Sequence, residues 1–113
     1  MEDSAFSDEF CRFIQTAVPS VDAAELLLAL HDSTDTWWMP AALGAKLRPA
    51  SAVTDADVLR YLDLFHSRGL IAVGPDKRVQ FRPASEVLHA EVRTLAQAYR
   101  ERPVTLIRMI YAL

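Results

Sequence analysis

Cysteine, glycine and long apolar runs are scarce in this chain. One cysteine among 113 residues, Cys11, rules out an internal disulfide framework and points to a reducing compartment. Only three glycines occur, Gly44, Gly69 and Gly74, in unrelated contexts, so there is no glycine-rich phosphate loop. No apolar run approaches the roughly 20 residues of a membrane span. The acidic start, Met1-Glu2-Asp3-Ser4, lacks the basic region of a secretory signal, so a cytoplasmic protein without membrane contact is expected. No spacing signature nominates a Ser-His-Asp set. His31, His66 and His89 stand far apart in sequence, without carboxylates or cysteine at metal-ligand spacing. These gaps point away from an enzyme, a metal site and a bound cofactor.

Apolar residues make up 51% of the chain, enough for one domain with one modest core. The net charge of −3 conceals a gradient. Residues 1–45 carry −7, residues 46–82 carry +3, and residues 83–113 carry +1. Local field, not total charge, decides whether a surface attracts phosphate.

Periodicity gives the elements. Phe6, Phe10, Phe13, Ile14 and Ala17 predict an aromatic helix over 5–17, ended by Pro19. A second helix starts near Asp22, with Asp22 as cap and Glu25 reaching back. Its Leu26, Leu27, Leu28 and Leu30 make it central; it ends around 31–33. Trp37-Trp38-Met39 suits a brief extended piece, one tryptophan packing inward and the other partly exposed. Pro40 fits the first position of a short helix to Leu47, closed by Arg48-Pro49.

Thr54 predicts an N-cap, with Asp55 and Asp57 in the first turn that follows. Val58, Leu59, Leu62 and Phe65 form the expected inward stripe; Asp55, Arg60, Asp63 and Ser67 face out. Gly69 supplies the left-handed stop. Residues 70–73 and 78–82 read as strands around the turn Gly74-Pro75-Asp76-Lys77. A helix follows Ser85, with Leu88, Val92, Leu95 and Tyr99 on one side. Arg102-Pro103 breaks it before an apolar end, 104–113.

This order (helix, short extended piece, helix, helix, hairpin) resembles the winged helix-turn-helix of MarR-like and PadR-like bacterial transcriptional regulators, without fixing a branch. The resemblance covers about 21–82. It implies a mainly α fold with a small β-hairpin, in one domain: an N-terminal helix (1–18), a winged core (21–83) and C-terminal helices (85–113). It implies DNA binding in transcription regulation. Arg60, Ser51 and Thr54 would approach base edges or phosphates, and Lys46, Arg48, Lys77, Arg78 and Arg82 would hold the backbone.

The acids Asp55, Asp57 and Asp63 on the helix in the recognition position favour a second reading, a protein–protein interaction module with little or no DNA binding. A third is a ligand-responsive regulator, with a pocket between the first helix and the C-terminal helices. The apolar ends exceed what one small domain readily hides. A homodimer is therefore expected through Phe6, Phe10, Phe13, Leu106, Ile107 and Ile110.

Overall fold

The computed structural model of the chain describes residues 6–47 and 53–112. Within them the order is α1 (Asp8–Ala17), α2 (Val21–Asp32), α3 (Pro40–Leu47), α4 (Asp55–Ser67), β1 (Ile71–Val73), β2 (Val79–Phe81), α5 (Glu86–Glu101) and α6 (Pro103–Ala112). The protein is mainly helical, with one small antiparallel sheet. Among the described residues, no single helix is long and apolar enough to cross a membrane.

Serine and threonine hydroxyls set the starts of α1, α2, α4 and α5. Ser7 Oγ accepts from Phe10 N at 3.1 Å, so α1 begins at Asp8, three residues later than its periodicity suggested. The cap of α2 is Ser20, not Asp22. Ser20 Oγ accepts from Ala23 N at 3.1 Å and donates to Tyr61 Oη at 2.9 Å. A hydroxyl does both; an ionised carboxylate only accepts. Asp22 instead lies in the first turn, where the helix dipole favours an anion. Ser85 caps α5 in the same way as Ser7 caps α1.

α2 is the central element, as its leucines require. Leu26, Leu27 and Leu30 are fully buried and join Leu43, Phe65, Leu70, Phe81 and Leu95 in one core. Burying each such side chain stabilises the fold by about 1.5–3 kcal/mol. Tyr99 on α5 reaches α2 through Glu25.

The hairpin pairs Ile71 with Phe81, Ala72 with Gln80, and Val73 with Val79. Trp38 adds a single antiparallel bridge to Val79, through N–H···O bonds of 2.7 and 2.9 Å, so the extended piece lies along the outer edge of β2. At the tip Lys77 has φ +72°, the left-handed turn position. Gly69 has φ +75° at the end of α4. Its carbonyl accepts from Ala84 N at 2.7 Å, which ties the approach to α5 to the start of the hairpin.

Two further expectations are corrected. The inward stripe of α4 is Val58, Tyr61, Leu62 and Phe65, and Leu59 is exposed. Tyr61 completes the i, i+3, i+4, i+7 pattern, which leaves Leu59 off the stripe. Phe10, Phe13, Leu106 and Ile110 are buried within the chain itself, so they offer no surface to a second subunit. The break at Arg102-Pro103 lets α6 pack back on α1 and α5, and one domain does hide them. Phe6 and Ile107 are half-buried.

Candidate interaction face

Lys46, Thr54, Arg60, Lys77, Arg78 and Arg82 are described; Arg48 and Ser51, with Pro49, lie outside the described residues. The six are exposed, but they do not share one chemistry. Thr54 is committed to a capping box: its Oγ1 accepts from Asp57 N at 3.0 Å, and Asp57 Oδ2 accepts from Thr54 N at 3.1 Å. Arg60 donates to Asp57 Oδ1 at 2.9 Å. The bonds from Thr54, backbone then side chain, and then Arg60 hold the Asp57 carboxyl below its usual range. Arg78 Nε lies 3.2 Å from Asp76 Oδ2. Lys46 Nζ sits 5.9 Å from the centroid of the Trp38 ring. Arg82 N donates to Leu70 O, at the opposite end of the hairpin from Lys77 and Arg78. Arg68 turns away, donating through Nε to Thr16 O on α1. Among the described bases, the guanidiniums of Arg60 and Arg78 each face an acid two or three residues away, and Arg68 faces α1.

Between α4 and the hairpin runs a groove that the sequence reading missed. Its lining is Pro40, Leu59, Leu62, Asp63, His66, Val73, Lys77 and Val79, around about 240 Å³. A second depression, lined by Pro40, Ala41, Asp55 and Leu59, continues it towards the start of α4. Beyond the hairpin tip a third, of about 340 Å³, is lined by Trp37, Gly74, Pro75, Asp76 and Arg78. Leu59 is 53% exposed, Met39 46%, Val73 43% and Trp37 40%. Among the described residues, four of the seven large exposed apolar side chains thus belong to this part of the molecule. The available signal was Tyr61: once it is counted as core, Leu59 must face out.

Elsewhere the fold brings histidines together. His31 and His89 stand with ring centroids 6.1 Å apart, and each meets the Phe81 ring edge-on, at 5.3 and 5.7 Å. His31 Nδ1 is buried without a hydrogen-bond partner, 3.8 Å from Asp32 Oδ1. Burial lowers the His31 pKa; Asp32 opposes this, while His89 and Arg93 add to it. Among the described residues no three His, Cys, Asp or Glu side chains converge as a metal site. Cys11 Sγ faces Met109 Sδ at 3.5 Å, on the contact of α1 with α6. The pocket between Phe6 and α5 holds about 230 Å³, below the 300 Å³ or so of a usual small-molecule site.

Compared with protein-family models, curated proteins and solved structures, the chain finds no match in any of the three.

Proposed function

We propose that the chain is a winged-helix domain of the transcriptional-regulator type that acts by docking a protein segment on the face formed by α4 and the hairpin. Element order supports the winged helix: α2, the Trp38 bridge, α3, α4, then β1 and β2 as the wing. The observation that carries the docking role is the groove beside α4, where Leu59 and Val73 are exposed around an apolar floor. Exposed apolar surface gathered in a concave site is what a protein contact uses. A phosphate backbone needs cations instead, and on this face Arg60 and Arg78 already face Asp57 and Asp76.

DNA binding is the second reading, favoured by Lys77 beside Arg78 at the hairpin tip and by exposed Lys46. Surface ion pairs are worth only about 0–1 kcal/mol, so a phosphate could draw either guanidinium away from its acid. The test is a mobility shift against random duplex at low salt. No shift is the expected result. A shift whose log–log salt slope approaches about −3.6, the value for four neutralised phosphates, replaces docking with DNA binding.

A further inference from the structure

Along α4 the groove and its continuation are lined by Asp55, Leu59 and Asp63, spaced at i, i+4 and i+8. These three fall on one side of the helix, with the backbone positions of the two aspartates about 12 Å apart along its axis and the exposed leucine between them. Pro40, Leu62, Val73 and Val79 supply the apolar surface beside them. Arg60 is turned about 100° from Leu59 around the helix and is held by Asp57. Lys77, from the hairpin, is the cation in the lining.

We infer that this groove takes an amphipathic helical segment of another protein, presenting one apolar side chain with lysine or arginine four residues before and after it. The inference rests on the reading of this face as a protein-docking surface and adds the chemistry of the partner. Two helices side by side share the same 1.5 Å rise. A base–apolar–base triplet at four-residue spacing therefore matches Asp55, Leu59 and Asp63 position for position. The apolar side chain enters between Leu59 and Val73. An acidic segment, or a phosphate backbone, would set like charges against Asp55 and Asp63.

The test uses the whole chain and fluorescence anisotropy. The probe is a labelled helical peptide of about five turns with a leucine seam flanked by lysines. Comparison probes are the same peptide with glutamate in place of lysine, and a short random DNA duplex. The lysine peptide binds. Leu59→Ala weakens it roughly tenfold, as expected for one lost leucine contact. The double variant Asp55→Lys, Asp63→Lys abolishes binding, while Val87→Ala, an exposed residue on α5, leaves it unchanged. Circular dichroism confirms that each variant is folded.

Absence of lysine-peptide binding overturns the inference, as does binding that ignores Leu59 and the two aspartates. Preference for the glutamate peptide, still lost in Leu59→Ala, overturns the partner chemistry but leaves the docking surface standing. Tighter binding of the duplex overturns both. Self-association of the wild type, reversed by Leu59→Ala, assigns the groove to a second copy of the chain and also overturns the inference.

Discussion

Tyr99 Oη donates to Glu25 Oε2 at 2.5 Å, joining α5 to α2 across 74 positions of sequence. Partial burial, then this bond and the charge of Glu25, push the phenol up to about 12. The folded chain keeps the Tyr99 proton where the unfolded chain has lost it. The associated stability is complete below the ordinary value of 10 and disappears as pH rises through about 12. Tyrosinate absorbance should show Tyr99 ionising in a late, separate step. Glu25→Gln moves that step to lower pH, and Tyr99→Phe deletes it. An alkaline titration with no late step contradicts the assignment.

Acid should act through the opposite sign at His31. Burial places its pKa below the ordinary 6.5, so the folded chain binds this proton more weakly than the unfolded chain. Stability is complete above pH 6.5 and falls as the pH drops from there towards the lowered folded value. His31→Leu removes the unpartnered Nδ1 and should flatten this part of the curve of stability against pH. Urea unfolding at a series of pH values measures it, and an unchanged slope in the variant would count against His31.

The capping box predicts a graded response at Thr54. Thr54→Ala removes the acceptor for Asp57 N and should cost about 1 kcal/mol in chemical unfolding. Thr54→Ser retains the oxygen and should lose much less. Equal losses in the two variants would show that the methyl group, not the cap, is what matters.

Leu59 and Leu62 stand three residues apart with opposite expectations. Leu62→Ala should cost about 2–5 kcal/mol because the side chain is buried. Leu59→Ala should change stability by less than about 0.5 kcal/mol. A large loss at Leu59 would return it to the core and leave the groove without its central leucine.

Leu106→Ala and Ile110→Ala should each destabilise by about 2–5 kcal/mol without altering elution on size exclusion, since both side chains fill the chain's own core. A later elution with stability intact would instead restore these residues to a subunit interface.

Much of the architecture was readable wherever chain chemistry acts locally. Thr54 with Asp57, the Gly69 stop, the turn at 74–77 and the break at Arg102-Pro103 announce themselves because each answers a requirement of its own backbone. What escaped depends on residues far apart in sequence. Ser20 prevails over Asp22 as the cap of α2, and its hydroxyl also bonds to Tyr61, 41 residues away. Phe10 and Ile110 read as sticky surface because no periodicity tells one helix where another will lie. The groove escaped for the same reason: Leu59 and Val73 share a cleft only once the hairpin is placed beside α4.

Gly69 joins α4 to the hairpin without lining the groove between them. At φ +75°, a Cβ there would stand 3.2 Å from the Ala84 Cβ and 3.6 Å from Leu88 Cδ1. A side chain at this position is strained by the backbone angle, and its Cβ asks Ala84 to give by a few tenths of an ångström. One backbone position thus governs both how α4 ends and how closely the segment leading into α5 can lie against it.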